Sequence, residues 1–152
     1  MVIDIMPEQK KLWEENKYGA TMRLGSYPAV LKEGTIACGA YEKAGAFKSQ
    51  KDATSAEDIS QRKAMSASGH EISERHRHRY EVSPEWIAEI EKAGMVFSGT
   101  SPDGRLMEIA ELPKSAHPFF LGTQFHPEFH ARPLHPHPLF SAFIEACLKN
   151  TK

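Results

Sequence analysis

The sequence predicts one α/β domain in which strands and helices alternate along the chain. Two helix starts are indicated by prolines, Pro84 after the N-cap residue Ser83 and Pro138 before an apolar stretch. Strands are indicated by short apolar runs separated by turns, of which Ser101-Pro102-Asp103-Gly104 is the plainest. A hairpin around that turn would make at least part of the sheet antiparallel.

Length and charge exclude several classes of protein. The chain has 152 residues, enough to bury a core without metal or disulfide support, and a net charge of −1 from 19 basic and 20 acidic residues. It has no run of 18 apolar residues and no basic segment followed by an apolar one at its start, so we expect neither a membrane span nor a secretory leader. The balanced charge argues against nucleic-acid binding, and only two cysteines favour a reducing, cytoplasmic environment.

In the first half we predict a strand at 2–5, a loop with one helical turn at 7–19, and short strands and turns from Ala20 to Tyr41. Residues 43–70 are polar and rich in Ser, Ala and Lys. Because so little apolar surface cannot offset the entropy of ordering, we predict a flexible insertion there.

In the second half a helix should run from Pro84 to just before Gly94. Strands are predicted at 95–97 and 106–112, which would form the hairpin, and at 119–125. A last helix begins at Pro138, and its predicted buried face consists of Leu139, Phe140, Phe143, Ile144 and Cys147.

A histidine and a glutamate flank a proline just past a predicted strand, at His126 and Glu128. A carboxylate held beside an imidazole selects its tautomer and stabilises the imidazolium during proton transfer, as in a catalytic triad. The alternative is two exposed polar residues on a proline-rich turn.

The run SERHRHRYE at 73–81 carries alternating arginines and histidines. If it is extended, Arg75, Arg77 and Arg79 face one way, and His76 and His78 face the other with Tyr80. An arginine row suits a carboxylate or phosphate ligand, whereas the simpler interpretation is a solvated edge strand.

Two other patterns are candidates for ligand binding. The glycine-flanked segment around Thr21 and Arg23 could contact a nucleotide through backbone N–H groups, although it lacks the ending of a P-loop. Four histidines crowd together near the carboxyl end, but no cysteine or helical histidine pair accompanies them, so we predict no metal site. These histidines are His126, His130, His135 and His137.

Together these patterns resemble the C-terminal glutaminase domain of the CTP synthase family, a class I glutamine amidotransferase. The matching segments are VIDIMPEQ at 2–9, TMRLG at 21–25, ISERHRHRYE at 72–81, FSGTS at 97–101, QFHPEF at 124–129 and HPLF at 137–140. They cover nearly the whole chain apart from the insertion at 43–70. The resemblance implies a mixed sheet flanked by helices.

The resemblance also implies roles. In this family a cysteine attacks the glutamine amide, a histidine moves protons and a glutamate orients the histidine; His126 and Glu128 match the last two. Arg79 matches the contact to glutamine, and Thr21 and Arg23 match the lid linked to activation by GTP. The family makes CTP from UTP, ATP and glutamine with Mg²⁺ and forms homotetramers. We expect no cofactor on this chain itself, and neither nucleic acid nor membrane as a partner.

The nucleophile is missing from the pattern. It should stand on a Gly-x-Cys-x-Gly elbow. Cys38 lies too late in the family's order and on a predicted strand, and Cys147 lies on the last helix. The elbow half of the domain and the synthase domain would precede Met1, so 1–152 would be the C-terminal portion of the glutaminase domain, inactive alone. A truncated chain, a split gene and an interrupted reading frame remain open, as does a non-catalytic relic or anion-binding module.

Overall fold

The computed structural model describes residues 1–5, 10, 14, 22–47 and 70–151. Seven strands and three α-helices lie in these ranges, with one 3-10 turn at Pro127–Phe129. The strands are β1 (Ile3–Ile5), β2 (Arg23–Leu31), β3 (Glu71–His78), β4 (Tyr80–Val82), β5 (Val96–Thr100), β6 (Met107–Glu111) and β7 (Leu121–Thr123). The helices are α1 (Ile36–Lys43), α2 (Pro84–Lys92) and α3 (Pro138–Asn150). The predicted α/β fold class is confirmed.

Five strands form the main sheet in the order β3-β2-β5-β6-β7, and β1 pairs with β4 separately. Every pairing between these described strands is antiparallel. A mixed sheet was expected for the fold, and the described residues contain its antiparallel pairs only. The longest pairing joins β2 to β3 and sets Arg23 opposite His78. The predicted hairpin is present as β5 and β6.

The segment predicted as short strands up to Tyr41 is instead one long strand followed by a helix, so Cys38 lies on α1 and not on a strand. Two contacts explain the helix. The hydroxyl of Thr35 accepts a hydrogen bond from the Cys38 N–H, and the buried carboxylate of Glu111 accepts the N–H groups of Ile36 and Ala37 at 2.7 and 3.0 Å. Glu111 belongs to β6, so local sequence could not reveal this anchor.

The core lies between the main sheet, α1 and the start of α3. Its fully buried members include Ala29 of β2, Ile109 of β6 and Cys38 of α1. Close packing is visible at Gly99, where an added Cβ would lie 2.7 Å from Cγ1 of Ile109. Only a glycine lets β5 approach β6 so closely.

The buried face predicted for the last helix is wrong for four of its five residues. Leu139 is buried, but the rest of the stripe is exposed in the described part of the chain. Phe140, Phe143, Ile144 and Cys147 are the exposed members. The periodicity correctly indicates an apolar stripe on a helix, but it cannot tell whether a partner surface covers that stripe.

The other predicted elements that fall on described residues agree with the structure, whereas the loop predicted at 7–19 lies outside them apart from positions 10 and 14. α2 ends before Gly94, whose φ of 101° lies in the left-handed region that favours glycine at a helix end. The strand predicted at 119–125 is shorter, as β7. Of the predicted insertion at 43–70, residues 48–69 lie outside the described residues, and Phe47 packs against Tyr41 and His70. No described helix has the length and apolar character needed to cross a bilayer.

Candidate active site

Strand β3 sorts residues 75–78 of the arginine and histidine run into two faces, as predicted, but the alternation does not continue to Tyr80, which is exposed on β4. Arg75 and Arg77 are exposed, whereas His76 is buried and His78 is half-buried on the opposite face. Arg79 follows the end of β3 and is half-buried. The arginine row on the strand therefore consists of Arg75 and Arg77, and Arg79 lies between β3 and β4.

The structure brings His126 and Glu128 together. His126 Nδ1 lies 3.0 Å from Glu128 Oε1, and Pro127 opens the 3-10 turn between them. The backbone N–H of His126 donates to the Arg75 carbonyl at 2.9 Å, which fastens this loop to β3. The imidazole stacks on Phe129 with ring centroids 5.0 Å apart. Backbone and ring contacts together restrict where the imidazole can point.

The electrostatics of this pair suit an imidazole that accepts a proton. A hydrogen bond from its own backbone N–H, assisted by His126, lowers the pKa of Glu128, so the carboxylate is ionised at neutral pH. An ionised carboxylate only accepts hydrogen bonds, so Nδ1 carries the hydrogen that Glu128 receives. The lone pair of Nε2 is then available to take a proton.

An open groove of about 420 Å³ adjoins the His126 loop. Its lining comprises Leu24, Gly25, Arg75, His76, Arg77 and Phe129. Two guanidinium groups beside a neutral imidazole and an aromatic ring make a surface suited to an anionic ligand. Arg79, the arginine singled out from the sequence, is not part of this lining.

Arg23 is buried, with both ends of its guanidinium engaged. It bonds Glu81 at 3.2 Å and Glu108 at 2.9 Å, and it lies 4.5 Å over the ring of Tyr27. Burial opposes its charge, but the hydrogen bond and charge of Glu108 raise the pKa of Arg23 overall. The side chain predicted for an effector lid therefore joins β2 to β4 and β6. Thr21 lies outside the described residues.

Buried groups around this ion pair have displaced pKa values. Burial raises the pKa of Glu81 to about 7, although the charge of Arg23 opposes the rise. Burial, with the charges of Arg23 and His78, lowers the pKa of His76 to about 3, so its ring is neutral at physiological pH. His76 Nδ1 lies 2.8 Å from His78 Nε2, and its ring meets Phe125 edge-on. A polar layer thus lies beneath the His126 loop.

A second buried network was missed by the sequence reasoning. Glu74 Oε1 accepts the Tyr41 hydroxyl at 2.6 Å and lies 3.0 Å from His137 Nε2, while Oε2 lies 3.2 Å from His130 Nδ1. It ties α1 and the two ends of segment 130–137 to β3. The alternation that buries His76 also places Glu74 on the inner face, which was the one available signal.

Neither cysteine stands beside the pair. Cys38 is buried in α1, and burial together with Glu42 raises the pKa of its thiol to about 11, so it is protonated at neutral pH. Cys147 lies on the exposed side of α3. Of the four crowded histidines, His126 contacts Glu128, while His130 and His137 share Glu74.

Comparisons with known proteins agree with this geometry. The Glutamine amidotransferase class-I family profile matches residues 15–146. The chain is 50% identical over 147 residues to a CTP synthase of Rubrobacter xylanophilus. The matched region covers 97% of this chain and 21% of the relative. It is 45% identical over 149 residues to a CTP synthase of Saccharopolyspora erythraea, covering 97% of this chain and 22% of the relative. The chain thus spans about a fifth of the length of these relatives.

Among solved structures, the glutaminase domain of Trypanosoma brucei CTPS with bound acivicin superposes with a TM-score of 0.69 at 29% identity. It covers 99% of this chain and 47% of that chain. The predicted resemblance is confirmed by sequence and by fold. The family profile covers well over half of the chain, and this chain therefore belongs to the class I glutamine amidotransferases.

Proposed function

We propose that this chain supplies the histidine and glutamate of a glutamine-hydrolysing site in a CTP synthase. The observation that carries the proposal is the 3.0 Å contact between His126 Nδ1 and Glu128 Oε1 on a loop fastened to β3. Relatives at 45–50% identity are CTP synthases, which supports this family over other amidotransferases.

The chemistry follows from the order of the pair. Glu128 holds the imidazole by Nδ1, and Nε2 takes the proton of a cysteine thiol. The thiolate attacks the glutamine amide carbon, and the imidazolium returns the proton to the departing nitrogen, which leaves as ammonia. Water, deprotonated by the same Nε2, then attacks the thioester carbon. The imidazolium returns this proton to the departing sulfur, which releases glutamate and restores the thiol. Glu128 stabilises the imidazolium in both halves.

The thiol comes from a segment other than the described residues. No Gly-x-Cys-x-Gly elbow occurs in this sequence, and the protonated, buried Cys38 is a poor nucleophile. The solved relative is about twice as long as the part matched here, which supports a supply of the elbow from the rest of such a domain, in cis or from a separate chain. The uncovered apolar side of α3, with Phe143 and Ile144, offers a surface on which that part can dock. Alone, the chain is predicted to be inactive.

Glutamine binding is assigned to Arg79, by its place in the matched motif. Its guanidinium would pair with the substrate carboxylate. Thr21 and Arg23 are proposed to link the site to GTP through the lid that contains them. Because two carboxylates already bind the Arg23 guanidinium, Arg23 would anchor the base of this lid and would not contact GTP itself. We extend the proposal to the whole enzyme. It would make CTP from UTP and ATP with Mg²⁺, assemble into homotetramers and be located in the cytoplasm.

Reconstitution tests the proposal. The chain is mixed with a polypeptide comprising the elbow half of the Rubrobacter xylanophilus glutaminase domain, and release of glutamate is measured. Neither part should act alone, and the mixture should be active. Glu128→Gln should lower kcat about a hundredfold with little change in KM, because it acts on proton transfer. The exposed Glu85→Gln is the matched control.

Arg79→Ala should instead raise KM roughly ten- to a hundredfold, because it removes a charge-assisted hydrogen bond to substrate. If both substitutions changed KM alone, the assigned roles would be wrong. Glutamate release by the chain alone that disappears in Cys38→Ser would show that the nucleophile is misassigned.

A second candidate function is favoured by the arginine-lined groove. Arg75 and Arg77 could bind an anion in a chain that performs no hydrolysis. Binding of phosphate that is lost in Arg77→Gln, together with an inactive reconstituted mixture, would support this alternative.

A further inference from the structure

Three potential metal ligands meet beside α1, on the face that carries Cys38 and Glu42. Cys38 and Glu42 are four residues apart on one face of the helix, and His70 lies just before β3. Cys38 Sγ lies 3.7 Å from Glu42 Oε1, and His70 Nε2 lies 3.4 Å from the same oxygen. All three ligand atoms lie within 4.8 Å of one another.

The two separations that involve Glu42 are close to those around a tetrahedral ion. Zinc binds thiolate sulfur, imidazole nitrogen and carboxylate oxygen at roughly 2.0–2.3 Å, which places neighbouring ligands roughly 3.3–3.6 Å apart. The two measured pairs are within a few tenths of an ångström of that range. A thiolate, an imidazole and a carboxylate together also form a donor set typical of zinc.

The ligands are held by their surroundings, and Glu42 is the most exposed of the three. The His70 carbonyl accepts the Leu31 N–H at 2.9 Å, and the His70 ring meets Phe47 edge-on at 5.0 Å. Cys38 forms the buried floor, whereas the side chain of Glu42 is 51% exposed. The sulfur is fully buried, so an ion must enter from the side of Glu42 by displacing its exposed side chain.

We propose that Cys38, Glu42 and His70 bind one Zn²⁺ ion, with the fourth position left to water or another ligand. This revises the expectation of no metal, which considered the crowded histidines near the carboxyl end. Glu42 and His70 flank residues 43–69 in the sequence, so the ion would join the two ends of that segment. Because the site exists only in the folded chain, binding of Zn²⁺ should stabilise the fold.

The same contacts have an explanation without metal. The Cys38 thiol can donate to Glu42, and a protonated His70 can pair with the same carboxylate. The two explanations differ in what they predict for added metal, for which Co²⁺ is a spectroscopic probe of zinc sites.

The experiment is a Co²⁺ titration of the full chain after removal of metal with a chelator. One equivalent should produce the intense visible bands of tetrahedral cobalt and a near-ultraviolet thiolate-to-cobalt band, and Zn²⁺ should displace it. Cys38→Ser should abolish the thiolate band. Glu42→Gln and His70→Gln should weaken binding by more than about tenfold, the least that loss even of an outer-shell partner of a ligand usually costs.

The controls are Cys147→Ser, which removes the exposed cysteine, and His135→Gln, which alters the histidine-rich segment. Both should bind as the unchanged chain does. Zn²⁺ should raise the melting temperature of the unchanged chain and both controls, but not of the exposed-site variant Glu42→Gln, whose fold can be checked by circular dichroism. No binding, a thiolate band that survives Cys38→Ser, or one lost in Cys147→Ser would overturn the proposal.

Discussion

Replacing Arg23 by methionine tests whether the buried polar layer depends on its only described guanidinium. Methionine keeps the length and apolar stem of the side chain but leaves two carboxylates without their counter-ion. The side chains of Glu81 and Glu108 are 5% and 0% exposed, so water cannot replace the lost partner. Removing one member of a buried ion pair costs about 3–5 kcal/mol, and we expect this loss in the free energy of unfolding at about pH 8.

The loss should shrink in acid. Burial already raises the pKa of Glu81 to about 7 in the folded chain, above its ordinary value, and removing Arg23 raises it further. An acid whose folded pKa is raised stabilises the fold below its unfolded pKa and loses that contribution as the pH rises through the folded pKa. At about pH 5 the carboxyl groups can protonate, and the cost should fall by at least about 1.4 kcal/mol, the value of one pKa unit.

Urea unfolding followed by circular dichroism at both pH values measures these differences. The control is Arg75→Met, on the exposed face of β3, which should change stability by no more than about 0.5 kcal/mol. If Arg23→Met is so unstable that it shows no cooperative unfolding at about pH 8 but unfolds cooperatively at about pH 5, the reasoning is also supported. A loss below about 1 kcal/mol, or an equal loss at both pH values, would refute the reasoning.

Two further substitutions test packing and the second network. Gly99→Ala should lower the free energy of unfolding in urea by about 1–3 kcal/mol, because its Cβ would lie 2.7 Å from a side-chain carbon of β6. The control is Gly122→Ala on β7, whose Cβ meets nothing within 4 Å and which should be nearly neutral. Equal effects of the two substitutions would contradict the packing argument. Tyr41→Phe should lower the free energy of unfolding by about 1–3 kcal/mol and reduce the melting temperature, because it removes the 2.6 Å hydrogen bond to buried Glu74. The control is Tyr80→Phe, at an exposed site, which should have little effect on the melting temperature. An unchanged melting temperature in Tyr41→Phe would mean that the network adds no stability.

The sequence was most informative where a signal is local. Pro84 and Gly94 bracket α2 because proline suits a first helical turn and glycine tolerates a positive φ. The hairpin of β5 and β6 followed from its turn. Alternation in β3 predicted which side chains face inward, and Pro127 between His126 and Glu128 predicted a pair on a stiff turn, whose contact the structure shows at 3.0 Å.

Tertiary structure decided what depends on residues distant in sequence. The first N–H groups of α1 donate to the carboxylate of Glu111 on β6, and no local pattern around Cys38 predicts this contact. The charge of Arg23 is neutralised by two glutamates far along the chain, so its burial was invisible in the glycine-flanked motif. Periodicity defined the apolar stripe of α3 but not its exposure, because amphipathicity belongs to the helix whereas burial belongs to whatever packs against it.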